Sequence, residues 1–101
     1  MHLHWPAVPL LPGVRTLAEQ GFVTGASGRN WAAYGADVSL SHGLSELDRA
    51  LLTDPQTAGG LLVSCAPAAL SDVQAVFARH GFAQHAVVGR VEAGQGLHVH
   101  G

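Results

Sequence analysis

The sequence contains no lysine. Five arginines are its only strong cations, set against seven acidic residues, and the 101-residue chain carries a net charge of −2 with neutral histidines. Without lysine, this segment offers no lysine nucleophile and no phosphate-gripping lysine. It has no basic run either, which argues against the electrostatic footprint of a nucleic-acid binder. The single cysteine, Cys65, excludes an internal disulfide framework and is compatible with a reducing cytosol. No stretch approaches the roughly 18 apolar residues that a membrane span needs. The opening Met1-His2-Leu3-His4-Trp5 has no cationic region and no long apolar run, so it does not read as a secretory signal.

What the chain does have is apolar residues, 48% of the total, ample for one core and too many for a disordered chain. Many are alanine, so the core is expected to rest on a few large anchors: Trp5, Leu17, Trp31, Leu51, Leu52, Leu61, Leu62, Val76, Phe77, Phe82, Val87 and Val88. No internal repeat, low-complexity linker or domain boundary is visible, so residues 1–101 read as one domain or one piece of a domain.

Leu3–Val8 reads as an edge or first strand ending in a proline-punctuated stretch. Pro12 is placed to open a helix running to Gln20, with Gly21 as its stop. Residues 22–30 read as a loop, with Asn30 capping a short helix over Trp31–Tyr34. A short strand is expected near Val38. Ser45 begins a clear helix, with Leu47, Leu51 and Leu52 on one face and Glu46, Asp48 and Arg49 in solvent. Asp54-Pro55 breaks that helix, because the residue before a proline is pushed out of helical geometry. Leu61–Cys65 reads as a buried strand and Pro67 as the start of a helix ending at His80-Gly81. His85–Glu92 and Leu97–His100 then read as a hairpin about Ala93–Gly96. The order predicts an α/β (α+β) sandwich, with helices packed on a mixed β-sheet.

The most unusual stretch is Asp54-Pro55-Gln56-Thr57-Ala58-Gly59-Gly60. Asp54 could hold a cation-bound phosphate, and Gln56 and Thr57 could hydrogen-bond a ligand. Gly59 and Gly60 would let backbone approach it. Residue physics alone favours a tight helix-to-strand connection. Thr24–Asn30 could form an anion nest, but lacks the ending of a phosphate-binding Walker loop and reads more simply as a solvated loop. His2 and His4, like His98 and His100, share a strand face. Four imidazoles could bind zinc or nickel if the two edges met, yet nothing in the sequence brings them together, and exposed strand-edge histidines are the simpler expectation. Cys65, inside an apolar run, reads as a buried structural thiol. Trp31 and Tyr34, three apart, read as core or interface anchors, with base stacking as the alternative. No catalytic set and no metal site emerges from the residues themselves.

Leu51-Leu52-Thr53-Asp54-Pro55-Gln56-Thr57-Ala58-Gly59-Gly60-Leu61-Leu62-Val63 resembles the selenophosphate synthetase (selenide, water dikinase) family. That family carries Asp-Pro-Gln-Thr-Ser-Gly-Gly-Leu-Leu in the same setting, and Ala58 stands where it usually has serine. Leu11-Pro12-Gly13-Val14, Gly28–Gly35, His80-Gly81-Phe82 and Val88-Gly89-Arg90-Val91 are similar to it too. The resemblance implies part of the C-terminal domain of an aminoimidazole ribonucleotide synthetase-like fold. It further implies a parent that makes selenophosphate from selenide and ATP with Mg²⁺, releasing AMP and phosphate. That parent would be a cytoplasmic homodimer whose N-terminal domain, the partner of this segment, holds the nucleophile and the metal-binding aspartates. The segment itself is expected to be inactive, to need no cofactor, and to wall the cleft with Asn30, Asp54, Gln56, Thr57, Gly59 and Gly60. Two alternatives are a stand-alone binding module of the same fold and a sister ATP-dependent enzyme.

Overall fold

The two ends of the chain meet in the middle of one sheet. In the computed structural model, which describes residues 1–101, β1 (His2–His4) lies between β3 (Gly89–Arg90) and β4 (Leu97–His100). On the far side of β4 lies β2 (Val38–Leu40). β1 runs parallel to β4, with His2 opposite His98, Leu3 opposite Val99 and His4 opposite His100. β2 is also parallel to β4, whereas β3 is antiparallel to β1. With four α-helices this mixed sheet gives the expected α/β class. Strand alternation puts Leu3, Val38, Leu40, Leu97 and Val99 on one face. His2, His4, Ser39, Arg90, His98 and His100 share the other.

The helices begin and end where local chemistry dictates. α1 (Val14–Glu19) follows Gly13, whose φ of 82° only glycine adopts readily, so the helix starts two residues after Pro12. It closes in a Schellman motif: the Gly21 N–H donates to Ala18 O and the Phe22 N–H to Leu17 O. α4 (Leu70–Arg79), entered through a 3₁₀ turn at Pro67–Ala69, closes the same way through Gly81 and Phe82, with the Phe77 and Phe82 rings edge to face. α3 (Glu46–Leu52) has a reciprocal capping box, in which Ser45 Oγ accepts from the Asp48 N–H and Asp48 accepts from the Ser45 N–H.

Several expectations are corrected. Residues 25–34 form one ten-residue helix, α2 (Gly25–Tyr34), not a loop with a short helix after it. Asn30 is therefore mid-helix and does not cap the start of a helix. The small residues hide the helix from sequence reasoning, but they let α2 approach α3: Ser27, 3% exposed, donates to Ala50 O. β1 is interior rather than an edge and ends at His4, because Trp5-Pro6-Ala7 turns into a 3₁₀ helix. β3 is only two residues long, and β4 does not pair with it, since β1 is inserted between them. Leu61–Cys65 is not a strand and is not buried; no backbone–backbone hydrogen bond involves residues 55–65. An apolar run becomes a strand only where a ladder partner exists. Cys65 is accordingly exposed.

Asp48 is likewise buried, not wet. Its Oδ1 accepts from Trp5 Nε1 and Arg15 Nη2, both at 2.8 Å, and its Oδ2 accepts from Ser45 N and Oγ at 2.9 and 2.7 Å. One carboxylate thereby ties the end of β1, α1 and the start of α3 together. Ser45 contributes most to holding its pKa far below the usual carboxylate range, with Arg15 and Trp5 adding to the effect against the opposing cost of burial.

Only three apolar residues are buried: Trp5, Ala18 and Val99. Of the expected anchors, Trp31, Leu51, Leu52, Phe77 and Val88 are half-buried, whereas Leu17, Leu61, Leu62, Val76, Phe82 and Val87 are exposed. The accessible surface is 7305 Å². A compact monomer of 10.4 kDa exposes about 5,400 Å². The radius of gyration, 14.6 Å, likewise exceeds the about 12.7 Å of a compact domain this long.

Candidate functional site

A hollow of about 380 Å³ opens where the C-terminal half of α2 faces the end of α3. Asn30, Trp31 and Tyr34 line it from α2, and Leu52, Thr53 and Asp54 from α3 and its exit. Asn30 Nδ2 donates to Thr53 O at 2.9 Å and so holds the two walls together. Thr53 Oγ1 turns back to Arg49 O at 2.8 Å, satisfying a carbonyl at the helix end. The Arg49 guanidinium lies 5.2 Å from the Trp31 ring centre and pairs with Glu46. Gly35 ends α2 under Trp31, where a Cβ would come within 2.8 Å of the indole. Tyr34 is 70% exposed, so it is no core anchor; its ring is free at the rim.

Asp54 also borders a second, apolar hollow between α1 and α3, lined by Leu17, Phe22 and Leu51. Its Oδ1 lies 3.5 Å from Thr24 Oγ1. Of the residues singled out from sequence, the structure thus brings Asn30 and Asp54 to one cleft. Gln56, Thr57, Gly59 and Gly60 continue from Asp54 as an exposed loop outside the lining. Gln56 folds back over Gly59, where a Cβ would meet its Oε1 at 2.9 Å. Trp31 and Tyr34 were visible as an aromatic pair at helical spacing, but Thr53 gave no signal, because it acts through its carbonyl.

The cleft can hold a flat ring against Trp31 and Tyr34 and present one carboxylate. It does not fit a magnesium ion by itself. Mg²⁺ demands octahedral oxygen donors, usually including one or two carboxylates. Here Asp54 is the single acid in the lining, and no three His, Cys, Asp or Glu side chains converge as a metal cage anywhere in the chain. No helix is long and apolar enough to cross a membrane.

A second polar cluster lies on the outer face of the sheet. Glu92 accepts from His2 Nε2 at 2.7 Å through Oε1 and from Arg90 Nε at 3.0 Å through Oε2. Arg90, first, and then His2 hold the Glu92 pKa below its ordinary value. His2 and His98 stack at 4.8 Å, and His2 Nδ1 lies 2.9 Å from His100 Nε2. The parallel pairing of β1 and β4, hidden in the sequence, brings the two histidine pairs together.

These features define an α/β unit with a mixed sheet and an interhelical cleft, without a complete catalytic set. No protein-family model matches the chain. It is 61% identical to the selenide, water dikinase of Pseudomonas straminea over 86% of its own length and 24% of that protein. It is 55% identical to that of Burkholderia orbicola and 50% identical to that of Rhizobium meliloti, each over 91% of the chain and 26% of the relative. The chain is thus similar, along most of its length, to part of the selenide, water dikinases, and it spans about a quarter of the length of the curated relatives it matches.

Proposed function

We propose that the chain supplies one wall of the reaction cleft of a longer selenide, water dikinase, a cytoplasmic enzyme that makes selenophosphate from selenide and ATP with Mg²⁺, releasing AMP and phosphate. The observation that carries this reading is the hollow between α2 and the end of α3, from which the Asp54–Gly60 loop departs. Trp31 and Tyr34 offer aromatic surface for a nucleotide base. Asp54 supplies the polar end, and Gln56, Thr57 and the Gly59–Gly60 backbone, exposed just beyond the lining, are the adaptable hydrogen-bonding groups that would close over a ligand. Phosphoryl transfer depends mainly on positioning and charge stabilisation, so a wall contributes without holding the nucleophile. The nucleophile, the lysine and the metal-binding carboxylates come from the N-terminal domain of the parent, which works as a homodimer. The isolated chain is inactive.

The extended, apolar surface supports this partnership. About 1,900 Å² more is exposed than a compact monomer shows, over twice the roughly 800 Å² that one partner buries in a standard protein interface. Leu61, Leu62 and Val63 lie open in a row, the pattern of a covered contact rather than of scattered surface residues.

The test is turnover and ATP affinity of the full-length enzyme carrying Asp54→Ala or Gly60→Val. A Cβ on Gly60 meets open space, so the valine is accommodated by the fold. Either change is expected to lower kcat/KM for ATP by about tenfold or more, some 1.4 kcal/mol of transition-state binding. Normal turnover and affinity in both variants refute the cleft-wall role, as would ATP- and selenide-dependent AMP formation by the 101-residue chain alone.

A further inference from the structure

We propose that His2 and His100 form a two-imidazole chelate for a borderline divalent transition ion, zinc, nickel or copper, on the outer face of the sheet. This site is independent of the interhelical cleft. His2 Nδ1 and His100 Nε2 face each other at 2.9 Å. Two ligand nitrogens on one tetrahedral ion, each bonded at 2.0–2.1 Å, lie about 3.3 Å apart. The rings lie within 13° of parallel with centres 5.2 Å apart, so the two nitrogens meet end to end. A widening of a few tenths of an ångström, together with a tilt of both rings, admits the ion.

The orientation of His2 is already that of a ligand. Metal-bound histidines commonly donate their second ring N–H to a carboxylate, which fixes the tautomer and raises ligand basicity. Glu92 Oε1 accepts from His2 Nε2 at 2.7 Å, which leaves the Nδ1 lone pair directed at His100. Arg90 holds the other Glu92 oxygen, so the carboxylate cannot swing away freely. The ring of His98 stacks on His2 and limits its rotation. The strands supply the rigidity, since β1 and β4 are hydrogen-bonded neighbours in register. His2 keeps 24% of its side chain exposed and His100 is exposed, so water completes the coordination. Imidazole nitrogen suits zinc, nickel and copper and discriminates against magnesium and calcium. His4 is the direct cross-strand neighbour of His100, but its ring takes no part in the stacking or in the nitrogen–nitrogen approach, so it serves as the control.

The experiment titrates the 101-residue chain with Ni²⁺ or Zn²⁺ by calorimetry and follows imidazole ¹⁵N resonances with Zn²⁺. One ion per chain is expected, with the largest shifts at His2 Nδ1 and His100 Nε2. His100→Gln weakens binding by at least tenfold, Glu92→Gln by about tenfold, and His4→Gln leaves it unchanged. The proposal is overturned if the wild-type chain takes up no ion at millimolar concentration. It is equally overturned if the ¹⁵N shifts fall on other nitrogens, or if His4→Gln weakens binding as much as His100→Gln does. The resonance measurement needs no variant, so a poorly folding substitution leaves the proposal decidable.

Discussion

Replacing Asp48 by alanine is the most exacting perturbation of this fold. The side chain is 13% exposed and accepts four hydrogen bonds from three parts of the chain. Its loss strands the Trp5 indole N–H in a residue only 7% exposed, which costs about 1–3 kcal/mol. It also removes the return bond of the α3 capping box, from the Ser45 N–H to the carboxylate, worth about 1 kcal/mol, while the Ser45 Oγ cap on the residue 48 N–H remains. The Arg15 pair adds at most about 1 kcal/mol, because 45% of that side chain is in water. The terms share partners and are not strictly additive, so the expected loss is about 3 kcal/mol. A domain has only about 5–15 kcal/mol in total. Urea denaturation followed by Trp5 and Trp31 fluorescence should show a large drop in midpoint, with the slope unchanged. Trp5→Phe in the Asp48→Ala background should cost clearly less than in the wild type, because the polar atom it removes is already unpaired. If Asp48→Ala shifted stability by less than about 0.5 kcal/mol, the size of an ordinary surface substitution, the reasoning would be refuted.

Asp48 also sets a pH dependence. Its folded pKa lies below the unfolded value, so its contribution is complete above about pH 5 and is lost as pH falls through the folded pKa. Urea midpoints measured from pH 6 to pH 2 should therefore fall in the wild type more steeply than in Asp48→Asn; equal slopes would sink the assignment. At Gly89 a Cβ would overlap the His2 carbonyl, so Gly89→Ala must push β3 away from β1. A loss of about 2 kcal/mol is expected, with faster amide exchange at His4, whose N–H donates to Val88 O. Unchanged exchange would mean that the strands are not so closely apposed.

Local chemistry was legible in the sequence, and long-range pairing was not. Gly21 and Gly81 mark helix ends because positive φ is available to them, and Ser45 marks a helix start because its hydroxyl can cap. The glycines and serine of residues 25–28 carry the same loop-like signature, yet they lie in α2, where small side chains allow close approach to α3. Asp48 reads as a solvated first-turn acid. It is buried because Trp5, distant in sequence, needs an acceptor. Leu61–Cys65 has strand composition, but pairing depends on a neighbour the run itself does not specify. At the cleft, Asn30 and Asp54 could be named from their side chains, although Asn30 for the wrong local reason. The histidine pairs could be seen, but their meeting depends on a parallel register between residues nearly a hundred positions apart.

The position of β1 has a consequence for the order in which the fold assembles. The helices form from neighbours in sequence, whereas β1 finds its partners only in β3 and β4, more than eighty residues away. Joining them makes sheet closure the slow, high-contact-order step of folding. Before β3 and β4 dock, His2–His4 presents unpaired strand edges to other chains. A change that weakens β4 should therefore slow folding, and expose the chain to self-association, more than one that weakens a helix.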